Sequence, residues 1–142
     1  MNLERAIEIA VNAHKGVTDK GGNPYIVHPL RVMMSLKSDN EKIVGVLHDV
    51  VEDAEDWDFE RLKEEGFSEE VLDALRSVTK TSEEEDYNEF VQRALTNKIG
   101  RAVKIADIRD NLDVTRIGEL RQKDMNRLNK YKNALKVLLG QD

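Results

Sequence analysis

Seven residues, Leu47-His48-Asp49-Val50-Val51-Glu52-Asp53, set one imidazole and three carboxylates in an otherwise apolar stretch. Burying that many ionisable groups is unfavourable unless a cation neutralises them. On a helix, His48 precedes Glu52 by one turn and Asp49 precedes Asp53 by one turn, so two polar pairs project from neighbouring faces toward one space. The adjacent His48-Asp49 pair can offer one nitrogen and one oxygen to a divalent metal, which leaves Glu52 and Asp53 to handle water or substrate. The remaining ligands must come from elsewhere in the chain. His28 lies 20 residues before His48, beside Pro29, and Asp107 lies 58 residues after Asp49 on another apolar segment. Two imidazoles and two carboxylates drawn from three helices suit Mn²⁺ or Fe²⁺, which accept mixed nitrogen and oxygen donors and leave positions for water. With no cysteine in the chain, a thiolate zinc site is excluded.

The elements that must position these groups are legible as helices. Leu3, Ala6, Ile7, Ala10, Val11 and His14 recur with the period of one buried stripe behind the N-cap Asn2, and Gly16 ends that helix. His14 continues the stripe, as a core imidazole or as part of the site. Val17 to Pro24 reads as a tight loop able to approach a ligand, and Pro29 suits the first turn of a second helix with Leu30, Met33 and Leu36 or Lys37 turned inward. After a Ser38-Asp39-Asn40 turn, Ile43, Val44, Leu47, Val50 and Val51 predict one continuous third helix through Asp53, in which Gly45 permits close backbone packing. Helices ending at Gly66 and Val78 follow, then the acidic run Thr79 to Asp86, read as a solvated loop without chemistry. A sixth helix spans Tyr87 to Leu95. The seventh, capped by Asn97, is expected to bury Ile99, Ala102, Val103 and Ala106, with Lys104 and Asn111 one turn either side of Asp107. A last helix covers Leu120 to Leu139.

These segments predict an all-α bundle of about eight helices in a single domain over residues 1–142. Charged residues form 35% of the chain and hydrophobic ones 39%, a balance that favours packed amphipathic helices. A net charge of −6 argues against nucleic acid as partner. No signal-peptide pattern and no apolar run of membrane-spanning length occurs, so the expectation is a cytoplasmic protein without a membrane partner. A small anionic ligand remains compatible where the metal and lysines meet, and a homo-oligomer is open. Arg109 and Arg116 are further anion contacts.

The ordered set His14-Lys15-Gly16, Lys20-Gly21-Gly22-Asn23-Pro24-Tyr25-Ile26-Val27-His28-Pro29, Leu47 to Asp53, Val78-Thr79-Lys80 and Lys104-Ile105-Ala106-Asp107 with Asn111 resembles the HD hydrolase domain of the RelA/SpoT homologues. Small single-domain alarmone hydrolases are the nearest in size, and this length leaves no room for a synthetase or regulatory domain. The resemblance implies an HD-domain helical bundle in which His28, His48, Asp49 and Asp107 bind Mn²⁺, or Fe²⁺ or another divalent ion. It further implies that Glu52 and Asp53 handle the attacking water, with Glu52 positioning or deprotonating it, and that Asn111 contacts the nucleotide. Lys20, Lys15, Lys104 and Arg109 are the candidates for neutralising phosphates. The implied reaction is hydrolysis of the 3′-pyrophosphate of ppGpp or pppGpp to GDP or GTP and pyrophosphate.

Two departures bear on the substrate. Where the family usually has an Arg-Lys pair, the arginine packing on the base, this chain has Asp19-Lys20, and an acid cannot stack as a guanidinium does. After Asp107 the run Ile108-Arg109-Asp110-Asn111-Leu112-Asp113 replaces two positions that are usually basic with neutral or acidic residues. Hydrolysis of another nucleotide or phosphorylated metabolite is therefore the first alternative. A non-enzymatic nucleotide-sensing module is the alternative of another class.

Overall fold

The computed structural model describes residues 2–140; Met1, Gln141 and Asp142 lie outside the described residues. The described chain forms α1 (Leu3–His14), α2 (Val27–Met34), α3 (Asp39–Leu47), α4 (Val50–Asp53), α5 (Phe59–Glu64), α6 (Glu69–Ser77), α7 (Tyr87–Leu95), α8 (Lys98–Asn111), a 3-10 turn (Val114–Arg116) and α9 (Gln122–Leu138). The fold is all-α; among the described residues the only strand-like pairing is an isolated bridge between Thr18 and Pro24. None of these helices is long and apolar enough to cross a membrane.

Most helices start where a short polar side chain can accept an orphan backbone N–H. Asn2, Ser38, Asp58, Ser68, Asp86 and Asn97 each do so. At α3 the cap is reciprocal: Ser38 Oγ accepts the Glu41 N–H at 3.1 Å while Glu41 Oε1 accepts the Ser38 N–H at 3.1 Å.

Helix α3 is buried all round from Ile43 to Leu47 and forms the centre of the bundle, with α1, α2, α6 and α8 packed on it. Gly45 allows that density. A Cβ there would come within 2.6 Å of Leu36 Cδ1 and 3.5 Å of the Met33 Cα, so α2 and α3 approach closely at this point.

Two expectations need correction. The continuous third helix is broken at His48-Asp49 into α3 and α4, while the all-α bundle of about eight helices stands. The cause is a side chain competing with the backbone: in an unbroken helix the Gly45 carbonyl would accept the Asp49 N–H, but here it accepts His48 Nδ1–H at 2.6 Å. The buried stripe of α8 is also rotated from the expected one. It runs through Gly100, Val103, Lys104, Asp107 and Ile108, while Ile99, Ala102 and Ala106 are only partly covered. Lys104 and Asp107 can lie inside because they satisfy each other, Nζ to Oδ2 at 3.2 Å, with the ammonium also 4.3 Å from the centre of the Phe90 ring.

Gly100 is where α8 meets α6. A Cβ at this position would lie 1.9 Å from Ser77 Oγ and 3.1 Å from Ser77 Cβ. Gly100→Ala should therefore destabilise the protein by roughly 1–3 kcal/mol in urea denaturation, although alanine is the better helix former. Adding Ser77→Ala, which removes the hydroxyl but keeps the Cβ, should recover part of that loss. Equal stability of Gly100→Ala and the parent would show that α6 and α8 are not packed this closely.

Candidate metal centre and cleft

Helix α2 brings His28, the break between α3 and α4 brings His48 and Asp49, and α8 brings Asp107 to one buried point. One ligand atom from each of His28, His48 and Asp49 lies within 4.8 Å of the others. Asp107 Oδ1 sits 2.9 Å from His28 Nε2 and 3.3 Å from His48 Nε2, and Asp49 Oδ2 sits 3.2 Å from His48 Nε2. The four residues singled out by type and spacing thus converge, although Asp107 is 79 positions from His28.

The orientation of both imidazoles tests whether this cluster fits a metal. His48 gives its Nδ1–H to the Gly45 carbonyl, so its Nε2 carries the lone pair in the neutral ring. That nitrogen is buried between two carboxylates yet makes no hydrogen bond to either. His28 is held in the same way, its Nδ1 being 2.6 Å from Asp110 Oδ2. Both Nε2 atoms are consequently turned toward the carboxylates of Asp49 and Asp107. Lone pairs facing anions at this distance need a cation among them, and a nitrogen and oxygen donor set suits a divalent one.

The electrostatics agree. Burial would lower the His48 pKa, but Asp49 and Asp107 outweigh it and hold the ring well above its ordinary value. Burial would raise Asp107, but the Lys104 ammonium and the His48 ring pull it well below the usual carboxylate range.

Several side chains support the cluster from behind. Asp110 receives Arg31 Nε at 2.7 Å and Arg31 Nη2 at 3.0 Å in addition to His28, forming a chain from guanidinium to carboxylate to candidate ligand. Tyr25 donates its hydroxyl to Asp49 Oδ2. Burial and the Asp49 charge raise the phenol's pKa, so Tyr25 remains a donor. His14 packs against this ring with centroids 5.0 Å apart, and both of its buried nitrogens lack a partner among the described residues. If His28 is a ligand, Asp110→Asn should weaken divalent metal binding by about 10–100-fold with every proposed ligand still present. Calorimetric titration of the metal-free variant measures this, and unchanged affinity would remove Asp110 from the site.

Above the cluster opens a cleft of about 690 Å³ into which His28 reaches. Its walls include Lys20, Glu52, Asp53 and Asn111, as expected from the sequence, together with Arg116. Glu52 Oε1 accepts the Lys80 backbone N–H at 2.6 Å. Burial first, and then the neighbouring Asp49 charge, raise the Glu52 and Asp53 carboxyls, Asp53 to about 6. The run Thr79 to Asp86 therefore contributes to the site after all, through a backbone N–H that residue types do not reveal. Asn111 Nδ2 donates to Asp107 Oδ1 at 3.2 Å.

Three of the candidate phosphate contacts are not brought to the cleft wall. Lys104 stands behind Asp107, Lys15 is exposed outside the cleft, and Arg109 lines a different groove. Conversely, the cleft includes Arg31, Asp110, Arg127 and Tyr131, none of which was singled out. A signal for two of them was available: Arg31 follows His28, and Asp110 follows Asp107, at the three-residue spacing that shares a helix face. Arg127 and Tyr131 come from α9, whose docking the spacing of its apolar residues does not specify.

The loop before α2 explains Asp19. Its Oδ1 accepts the Gly21 and Asn23 N–H groups, each at 2.9 Å, and its backbone N–H donates to the Asn23 carbonyl at 2.8 Å. Gly22 takes φ +80°, and a Cβ on Gly21 would come within 3.0 Å of the Arg116 carbonyl. Asp19 is a staple within its loop.

The chain is 32% identical over 121 residues to a guanosine-3′,5′-bis(diphosphate) 3′-pyrophosphohydrolase of Aquifex aeolicus, covering 78% of this chain and 17% of that protein. It is 35% identical over 99 residues to the protein of the same name from Borreliella burgdorferi, covering 67% of this chain and 14% of that one. A solved structure described as a metazoan ortholog of SpoT that hydrolyses ppGpp shares the fold, with a TM-score of 0.74 at 21% identity over 96% of this chain and 84% of that one. No family model matches the chain. The chain spans less than a fifth of the length of these two curated relatives. It belongs to the RelA/SpoT-type HD domains.

Proposed function

We propose that this chain is a divalent-metal-dependent phosphohydrolase, acting in the cytoplasm as one domain, that removes the 3′-pyrophosphate of ppGpp or pppGpp. The observation that carries the reading is the pair of imidazoles whose Nε2 atoms face Asp49 and Asp107, with Glu52 and Asp53 on the wall of the cleft above. A divalent ion held by His28, His48, Asp49 and Asp107, Mn²⁺ in this reading, supplies polarisation of a phosphoryl oxygen and a more acidic water.

The chain's own groups do the rest. Lys20 at the cleft rim neutralises phosphate charge, and Asn111 offers hydrogen bonds to the nucleotide while holding Asp107. Glu52, fixed by the Lys80 N–H, orients a water and takes its proton as the oxygen bonds to phosphorus; its raised pKa makes it a better base than an exposed carboxylate. Asp53 supports the same water. The 3′ oxygen leaves and takes up a proton, giving GDP or GTP and pyrophosphate.

One observation favours a second reading. The Asp19 carboxylate is turned into its own loop, so this position gives a base neither a guanidinium plane nor a free side chain, and another nucleotide or phosphorylated metabolite fits the same chemistry. Incubation of metal-stripped protein with Mn²⁺ and ppGpp, beside a panel of other phosphoesters, separates the two. Mn²⁺-dependent release of GDP and pyrophosphate, lost in Asp49→Asn, is the expected result. Faster turnover of an unrelated phosphoester would transfer the assignment to that substrate. Metal-loaded protein inert toward the whole panel but tightly binding a nucleotide would make the chain a sensor.

A further inference from the structure

A second groove, of about 540 Å³, shares Arg31 and Asp110 with the cleft but lies along α2 and α8. Its apolar lining includes Leu36, Ala102, Ile105 and Ala106. Ala102 and Ala106 belong to the stripe whose periodicity predicts a core position, yet they are only partly covered by the protein itself. Arg31, Lys37 and Arg109 supply the groove's positive charge.

The two acids in the groove are already engaged. Glu41 accepts the Lys37 and Ser38 N–H groups, and Asp110 is held by Arg31 and His28. The Lys37 ammonium and the Arg109 guanidinium, in contrast, have no hydrogen bond or ion pair among the described residues. An apolar trough with unanswered positive charge matches a small organic anion with an apolar or aromatic body.

We propose that this groove binds an organic phosphate or phosphonate of that kind and that its occupancy is coupled to the candidate metal cluster through Arg31, Asp110 and His28. An anion resting on Lys37 and Arg109 competes with Asp110 for the Arg31 guanidinium. Asp110 in turn holds His28 Nδ1, so loosening it frees the imidazole to turn away from Asp107. Metal binding weakens, and by linkage the metal weakens anion binding by the same factor. Binding in the groove does not rest on the phosphohydrolase reading; the coupling rests only on the cluster holding a metal.

Phenylphosphonate, which has an aromatic body, a dianionic head and no hydrolysable ester, is the probe. Titrated into the isotopically labelled full chain without metal, it should produce saturable amide shifts centred on Leu36-Lys37 and on Ala102 to Arg109. Lys37→Glu should weaken binding by about tenfold or more, a loss of about 1.4 kcal/mol, and Arg109→Ala should also weaken it. Turnover of Lys37→Glu without the probe should stay within about twofold of the parent, as for other exposed substitutions. In calorimetry, saturating phenylphosphonate should raise the Mn²⁺ dissociation constant by about fivefold or more, and Mn²⁺ should raise that of phenylphosphonate equally. Shifts centred on Glu52, Asn111 and Tyr131 would assign the anion to the cleft and overturn the groove site, as would the absence of shifts. Groove binding with no mutual effect of the two ligands would overturn the coupling.

Discussion

Asp107→Asn should abolish divalent metal binding and reduce turnover to about a thousandth of the parent or less, and it should also lower the unfolding free energy of the metal-free protein by roughly 3 kcal/mol. The two losses have different origins. Asp107 Oδ1 faces both imidazoles, whereas Oδ2 is the counter-charge for Lys104, whose side chain is almost fully buried. An amide at position 107 leaves that ammonium inside the bundle beside the Phe90 and Tyr87 rings and without its counter-charge. Lys104→Met added to Asp107→Asn should therefore restore much of the lost stability in denaturant titration and none of the activity. Lys104→Met alone tests the other candidate role of this lysine. A large rise in KM with little change in stability would make Lys104 a phosphate contact, contrary to its place behind Asp107.

Glu52→Gln should leave metal affinity nearly unchanged while kcat falls by about 10²–10⁴-fold, the range for loss of a general base. Glutamine keeps the oxygen that accepts the Lys80 N–H, so the side chain can stay where it is. It loses only the capacity to take a proton. A comparable rise in KM with kcat intact would assign Glu52 to substrate binding instead. Asp53 is the natural comparison: it lies one residue on with a carboxyl raised to about 6, but that carboxyl has no hydrogen bond among the described residues. Asp53→Asn should accordingly have the smaller effect in the same kinetic experiment.

Much of this architecture was legible from residue spacing, because amphipathic helices with short polar caps leave a regular imprint. The caps at Asn2, Ser38, Ser68 and Asn97, the close approach at Gly45 and the convergence of His28, His48, Asp49 and Asp107 all follow from side-chain type and period. What escaped depends on backbone atoms or on polar groups at core positions. The break in the third helix arises when the His48 ring takes the Gly45 carbonyl, and periodicity carries no trace of that bond. The rotation of the α8 stripe has a similar cause. Counting apolar residues favours Ile99, Ala102 and Ala106, but the mutual satisfaction of Lys104 and Asp107 lets a charged pair occupy the interior. Glu52's partner is a peptide N–H, and residue 80 could be almost any amino acid and still provide it.

The stapled loop between α1 and α2 affects how quickly a ligand can be accepted and how long it stays. Asp19 Oδ1 bonds two N–H groups, the Tyr25 N–H reaches back to the Val17 carbonyl at 2.8 Å, and the Thr18–Pro24 bridge closes the base. A rim with this many internal bonds is ordered before encounter, so a ligand entering the cleft does not have to freeze it. Capture is then governed by diffusion and orientation, and related ligands differ chiefly in residence time. A residue whose acidity suggests a weakened grip on phosphates thus also removes the waiting step that a mobile loop would impose.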